Sequence, residues 1–262
     1  GNELRIHDKA SGKLLQSLTL FSQPGLARSL LLTPSFVFCK DFVTLYAIAR
    51  ASLEIESRWQ LGQDLSSDIC ALCHADDAVF SSLRDGRIVR IHCNLNGQPE
   101  FRRVSESAIW DMIPARGLIY AGNVAGQLLE IDPASLQTLR VVQAHRQNAK
   151  SLFADGGTLY SAGQDKTLAA WRLPPMEALQ VKRKAHVKAF QIAGRSGDFL
   201  LSVCFPCGEL KLWELPELRE AKRIELAGCL TGETAIRNGC LYLASRAVNG
   251  LLRIELAALT AS

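Results

Sequence analysis

No stretch of this sequence approaches the roughly 18 consecutive apolar residues that a membrane-spanning helix needs, and the N-terminus carries no apolar signal segment. No GxxxxGK[ST] loop and no GxGxxG element is present, so neither glycine-rich phosphate cradle is available. No convergent pair of carboxylates stands out from the rest of the sequence. Also lacking is any long apolar stripe with a 3.6-residue period, so helices should be nearly absent. Charge of one sign is not in excess either. The 30 Lys and Arg against 26 Asp and Glu give +4, which neither demands nor excludes a polyanionic partner. The chain opens GNELRIHD without an initiator Met and already in strand-like alternation, which reads as a piece of a longer protein.

What the sequence does contain is apolar material. It has 262 residues, 48% of them hydrophobic, enough for a substantial core in one all-β domain or two smaller ones. Eight cysteines are present, several inside apolar runs such as DICALC and LLSVCF. Unpaired cysteines often pack as small hydrophobes, and a chain of this size needs no disulfide staples. A reducing compartment, cytoplasmic or nuclear, is expected.

A repeat organises the chain. AHRQNAKSLFADGGTLYSAGQDKTLAAWRL (144–173) is followed by AHVKAFQIAGRSGDFLLSVCFPCGELKLWEL (185–215) with the same skeleton. The position of Trp171 recurs at His7, Tyr46, Ile91, Ile131, Trp213 and Ile254. Along the chain the spacings are 39, 45, 40, 40, 42 and 41 residues. A period near 40 fits four short strands and their turns, one propeller blade. In the best unit, strands are expected at 150–154, 158–161, 167–172 and 176–182, with a tight turn at 164–166. DGR (85–87) and AGQ (125–127) fill the same turn, where Gly supplies a positive φ and Asp bonds its own backbone. Asn249–Gly250 is a further hairpin signal.

At this point the sequence resembles the WD40 repeat family. Its pattern is a His before the inner strand, a Ser or Thr closing the second, an Asp in the next turn and a Trp ending the third. His145, Ser161, Asp165 and Trp171 supply all four. The following unit keeps His186, Ser202 and Trp213 and puts Cys207 where the Asp is expected. The resemblance implies a side-chain network from Asp through His and Ser to the indole. Physical chemistry supports it, since a buried imidazole and indole need partners and a satisfied network rigidifies its blade. The expected fold is therefore all-β, a WD40-type β-propeller of four-stranded antiparallel blades. It is expected to form a single domain over 1–262, part of a larger protein.

Counting third strands gives five complete units, half a blade at the front (5–8 and 13–18) and three-quarters of one at the back, ending at 251–256. Three closures stay open. Seven blades would need strands from an unrepresented segment. Six blades would need 13–18 to pair beside 251–256. An open arrangement would take a donated strand from a partner, because proteins cover or pair exposed sheet edges.

Candidate sites follow from this frame. Cys70–Cys73 with His74, and Cys204–Cys207, have zinc-like spacing but lie three blades apart on this frame, so they read as packing residues and no metal or cofactor is expected. His145 and His186 read as structural rather than catalytic. The loops and inner-strand starts hold Arg84, Trp110, Arg146, Lys150 and Gln164 as candidate partner contacts. In SAIWDM, Ala108, Trp110 and Met112 would share one face, and Trp and Arg are frequent hot-spot residues. Lys182, Arg183 and Lys184 form a basic cluster before His186, and Arg84, Arg87, Arg90, Arg102 and Arg103 form a second patch. The expected function is non-catalytic: a rigid scaffold for a protein or peptide partner. The alternative is a nucleic-acid or phospholipid reader using these basic patches. An enzyme with a site in the propeller channel is the third reading.

Overall fold

The computed structural model describes residues 3–7, 13–19, 30–226, 230–245 and 250–260. In chain order the strands begin with β1 (Glu3–His7) and β2 (Leu14–Thr19), a two-stranded hairpin. Blade 1 is β3 (Leu30–Leu32), β4 (Phe36–Lys40), β5 (Thr44–Ala49) and β6 (Ile55–Gln60). Blade 2 is β7 (Ile69–Ala75), β8 (Ala78–Leu83), β9 (Arg87–His92) and β10 (Glu100–Arg103). Blade 3 is β11 (Ile109–Ala115), β12 (Leu118–Asn123), β13 (Gln127–Ile131) and β14 (Thr138–Gln143). Blade 4 is β15 (Ala149–Asp155), β16 (Thr158–Gly163), β17 (Leu168–Arg172) and β18 (Glu177–Lys182). Blade 5 is β19 (Gln191–Ser196), β20 (Phe199–Cys204), β21 (Glu209–Glu214) and β22 (Arg219–Glu225). A three-stranded sheet, β23 (Leu230–Arg237), β24 (Cys240–Ser245) and β25 (Gly250–Glu255), precedes a short helix α1 (Leu256–Thr260). Every blade is an up-and-down antiparallel sheet in sequence order, the construction of a β-propeller.

Local sequence sets this repeat. Two-residue hairpins need positive φ at their centre, and the residues there recur with the blade period. Arg116–Gly117, Gly156–Gly157 and Asn238–Gly239 all take positive φ. The next turn carries a second recurrent left-handed position at Gly86, Gly126, Lys166 and Gly208. The carbonyl of each accepts a backbone N–H from the chain leaving the outer strand: Val104 on Gly86, Ala144 on Gly126, Ala185 on Lys166 and Leu226 on Gly208. One backbone conformation thus fixes where each blade hands the chain to the next.

The chain divides into two compact units. The first comprises 1–112 and 133–137. Its core gathers Phe38, Leu45, Ile69, Val79, Leu83, Val89 and Ile91, and Leu4 and Leu18 of the hairpin pack on Cys39, Tyr46 and Ile48. Arg90 reaches the carbonyl oxygens of Pro133 and Ala134 and the carboxylate of Glu100, tying β9 to that loop. The second unit comprises 113–132 and 138–262. Tyr120, Leu159 and Trp171 centre one cluster, and Phe190, Leu200 and Trp213 another. Leu201, Leu212, Leu241 and Leu243 form a third, closed by Leu256 and Leu259. That pair, three residues apart, gives α1 its buried side, and Leu259 O accepts from Lys222 Nζ at 3.1 Å.

The sequence frame meets this structure closely in blade 4 and differs elsewhere. The pairing of 13–18 beside 251–256 is not seen: β2 pairs with β1, and among the described residues β25 pairs with β24. Strand β25 stops at Glu255, so the expected Leu256 begins the helix instead. Asp8, Asn249 and Cys229 lie outside the described residues. Ala108, Trp110 and Met112 do not share a face. Ile109 and Met112 are buried and Trp110 is 37% exposed. The inner strands of blades 2 and 4 shift register near their starts, between Ile69 and Leu72 and between Ala149 and Ser151, places where two-residue alternation likewise does not hold.

Gly126 tests the hand-over geometry. Its φ is +79, and a Cβ there would sit 2.3 Å from His145 O and 2.6 Å from Gln147 O. Gly117 also has positive φ (+75) but faces open space. Gly126→Ala is expected to destabilise by more than about 2 kcal/mol, and Gly117→Ala by only about 1 kcal/mol, in urea unfolding followed by fluorescence. Equal losses would show that the close approach is unimportant.

Candidate partner-binding face

In blade 4, Ser161 Oγ accepts the indole N–H of Trp171 at 2.9 Å and lies 2.8 Å from His145 Nε2. Thr167 Oγ1 gives its one proton to Asp165, so it accepts from His145 Nδ1; the neutral ring carries its proton there, and Nε2 accepts from the serine hydroxyl. Nδ1 meets Thr167 Oγ1 at 2.5 Å, and Thr167 Oγ1 donates to Asp165 Oδ1 at 2.6 Å. Asp165 Oδ2 accepts the Arg146 backbone N–H at 2.8 Å. An unbroken chain of donors therefore runs from the blade core to the loop that begins the blade. Thr167 is a link the sequence frame did not single out.

Blade 5 repeats the arrangement with a different acid. Trp213 Nε1 donates to Ser202 Oγ at 2.7 Å, and Ser202 Oγ lies 2.7 Å from His186 Nε2. The carboxylate near His186 Nδ1 belongs to Glu209, 3.0 Å away, and not to the residue at the expected position, Cys207, which is exposed. The turn here is lengthened by a 3₁₀ segment, Phe205–Cys207, so the acid moves onto the first residue of β21 and uses a longer side chain. The contact is close but misaligned, and neither atom completes a hydrogen bond through it. Lys211 Nζ, almost fully buried, offsets the charge: it donates to Ala185 O at 2.8 Å and Glu220 Oε2 at 2.9 Å and lies 3.3 Å from Glu209 Oε1.

Burial pushes both imidazoles below the ordinary histidine range, against the opposing pull of Asp165 on His145 and of Glu209 on His186. Both are neutral at pH 7, as donor–acceptor links must be. Burial would raise Asp165, but hydrogen bonds from Thr167 and the Arg146 N–H, with the His145 ring, hold it below the usual carboxylate range. Burial acts likewise on Glu220, which Lys211 and Arg223 hold low.

These networks end at the floor of an open cleft of about 660 Å³. Arg146, Gln164 and Lys184, all expected from the sequence, line it together with Lys166, Lys211 and Arg223. An adjoining hollow of about 460 Å³ shares Arg146, Asp165 and Lys184 and adds Arg183. Lys211 and Arg223 are engaged by Glu220, so the positive charge offered outward comes chiefly from Arg146, Lys166, Arg183 and Lys184. Lys166 and Lys184 both adopt left-handed backbone, with φ of +68 and +53. Gly163 is buried against the network of blade 4. A Cβ there would lie 2.3 Å from Asp165 Oδ1 and 2.4 Å from His145 Nδ1.

The other expected residues lie apart from this cleft. Lys150 is exposed on β15 at its register shift, and Lys182 is exposed on β18. Arg84 is exposed after β8, and Trp110 is exposed on β11. Three members of the second basic patch are engaged within their own unit, while Arg84, Arg102 and Arg103 stay exposed. Arg87 pairs with Asp85 at 2.7 Å and lies over Phe101, Arg90 is tied as above, and Arg103 donates to Asp85 O at 2.9 Å. Cys70 and Cys73 both lie on β7, and among the described residues no three His, Cys, Asp or Glu side chains converge as a metal site would require. Sequence reasoning missed Lys166 and Lys211. Lys166 was visible as the one non-glycine at a glycine position of the repeat, whereas nothing in ELKLWEL marks Lys211 as buried.

Two tests follow from the networks. Ser81 occupies the same repeat position as Ser161, but with Ile91 in place of Trp its buried hydroxyl has no hydrogen-bond partner among the described residues. Ser161→Ala is expected to cost about 2–4 kcal/mol, since it orphans an indole and an imidazole, while Ser81→Ala is neutral or stabilising by up to about 1 kcal/mol in urea unfolding. The second concerns pH. A histidine held below its unfolded value of about 6.5 contributes stability that is complete above that pH and is lost as pH falls toward its folded value. The melting temperature is expected to fall between about pH 7 and 5, with a shallower slope in His186→Gln. An unchanged slope would show that His186 does not titrate with folding.

No protein-family model matches the chain, and no curated protein matches it by sequence. Solved structures do. A chain in the crystal structure of the mitotic checkpoint complex aligns with a TM-score of 0.83 at 13% identity, over 96% of this chain and 81% of that one. U3-55K aligns with a TM-score of 0.76 at 14% identity, over 93% of this chain and 82% of that one. The computationally designed Ika8 protein aligns with a TM-score of 0.69 at 13% identity, over 97% and 90%. At these identities the likeness is one of fold, and with the blade pattern above it makes the chain a β-propeller of divergent, WD40-like repeats.

Proposed function

We propose that this propeller is a non-catalytic scaffold whose cleft beside Arg146, Lys166 and Lys184 takes an acidic segment of a protein partner. The observation that carries this reading is Lys166. Three other blades have glycine at its left-handed turn position, and a side chain there costs about 1 kcal/mol. A residue that opposes local stability and points its charge into a concave surface is best explained by what it binds. The cleft is preorganised, because the networks under it hold its floor fixed, so a partner would dock with little ordering cost. The neutral, buried histidines are already committed to serine and to carboxylate neighbours, which supports binding over acid–base chemistry here. The rim lacks aromatic side chains among its described residues, which favours a peptide over stacked nucleic-acid bases.

The seven free cysteines among the described residues fit a reducing compartment, cytoplasmic or nuclear, for this function. Among the described residues no helix is long and apolar enough to cross a membrane, a statement that does not bear on β-barrels.

The test is fluorescence anisotropy with a labelled Asp- and Glu-rich peptide, an oligonucleotide of equal charge, and anionic vesicles. The peptide is expected to bind more tightly than either competitor. Lys166→Gly is expected to weaken it about 3- to 10-fold, with thermal stability unchanged or raised. Tighter binding of the oligonucleotide or the vesicles would overturn the reading in favour of that ligand, and no effect of Lys166→Gly would remove the cleft from it.

A further inference from the structure

Two CxxC sequences occur in this chain, and they sit on different backbones. Cys70 and Cys73 lie on the extended strand β7. Three residues of strand separate their Cα atoms by about 10 Å, beyond the reach of a disulfide. Cys204 and Cys207 instead bracket a 3₁₀ turn, Phe205–Cys207, with Cys204 as its N-cap. Three residues at about 2.0 Å rise, with positions i and i+3 eclipsed, bring the Cα atoms to about 6 Å, inside the disulfide range.

The turn is held in that shape by its own sequence. Pro206 presets φ near the start, and Gly208 takes φ +63 and donates its N–H to Phe205 O at 3.3 Å. Phe205 packs against the cluster of Leu201, Leu241 and Leu243, and Cys204 is paired across the ladder with Glu209. Cys204 and Cys207 therefore stand at the two ends of one rigid turn, close enough to interact electrostatically. The two thiols differ in access: Cys204 is fully buried and Cys207 is exposed.

We propose that Cys204 and Cys207 form a dithiol site that closes to an intramolecular disulfide by exchange with a small disulfide such as glutathione disulfide. The exposed Cys207 thiolate attacks one sulfur of the small disulfide, forming a mixed disulfide and releasing one glutathione thiolate. Cys204 then gives up its proton and attacks the Cys207 sulfur, expelling the second glutathione. Two protein thiols are oxidised by two electrons, the small disulfide is reduced to two thiols, and the two protons end on the glutathione sulfurs. Burial pushes the Cys204 thiol up to about 11, which suits it to the second, intramolecular step and leaves the encounter step to Cys207.

The test incubates the full chain in glutathione buffers of graded oxidised-to-reduced ratio, traps free thiols by alkylation, and maps the peptides by mass spectrometry. The expected product is a Cys204–Cys207 disulfide, with Cys70 and Cys73 alkylated. Cys204→Ser should stop at a glutathione adduct on Cys207. Cys207→Ser, an exposed change that leaves the core intact, should leave Cys204 unmodified under the same conditions. The proposal is overturned if both thiols stay free in the most oxidising buffer, if the wild type stops at the Cys207 adduct, or if Cys70–Cys73 closes in preference.

Discussion

In blades 4 and 5 a single serine hydroxyl joins an indole N–H to an imidazole, and everything on the face above depends on that junction being complete. In blade 4 the tautomer is set from the other end: Thr167 gives its one proton to Asp165 and so accepts from Nδ1, which leaves Nε2 to accept from the serine. The tautomer in turn aims Nδ1–H at the turn between the second and third strands, through Thr167 to Asp165 in one blade and toward Glu209 in the other. Asp165 then holds the N–H of Arg146. A proton arrangement fixed in the dry core thus positions a charged loop residue several links away.

The blades that lack this junction show why it matters. Blade 2 keeps the serine and the turn aspartate but has Ile91 for the indole, and its hydroxyl is stranded. The Asp85 carboxylate there turns to Arg87 instead. In blade 3 the same interior is filled by Tyr120 and Leu128, and a buried Glu130 secures the following blade by accepting the Met176 N–H at 2.8 Å. These blades use polar contacts of other kinds: Ser82 Oγ accepts the Ala71 N–H and donates to Ile109 O, and the Asn123 amide bonds Gln127 through both its atoms. The networks that join indole, serine and imidazole are those under the basic cleft, where they fix its floor.

Much of this was legible in the letters, for a physical reason: a turn that demands positive φ must recur wherever the fold recurs, so Gly86, Gly126 and Gly208 mark the period as clearly as the tryptophans do. The His, Ser and Trp members were legible because a buried imidazole and indole restrict their neighbours. The acid of blade 5 was not. A frame of fixed offsets points to Cys207, but a 3₁₀ segment moves the acid to Glu209, and side-chain length absorbs the difference. The shared face expected for Ala108, Trp110 and Met112 was not legible from alternation alone, since Met112 is buried and Trp110 is exposed. Lys211 was hidden because its burial depends on Ala185 O, Glu209 and Glu220, which are brought together only by the folded sheet.

The same lengthened turn links the structural and chemical readings of blade 5. Blade 4 keeps its acid, Asp165, in the turn itself, whereas blade 5 is one residue longer between its serine and its tryptophan, forms the 3₁₀ segment Phe205–Cys207 there and places its acid in β21. Cys204 and Cys207 stand at the two ends of the 3₁₀ turn, while Glu209, which follows it, lies 3.0 Å from His186 Nδ1. The departure from the repeat is therefore internally compensated. Glu209 and Lys211 restore the charge balance around His186 that a turn aspartate would have supplied, and this leaves the turn free to carry a pair of thiols.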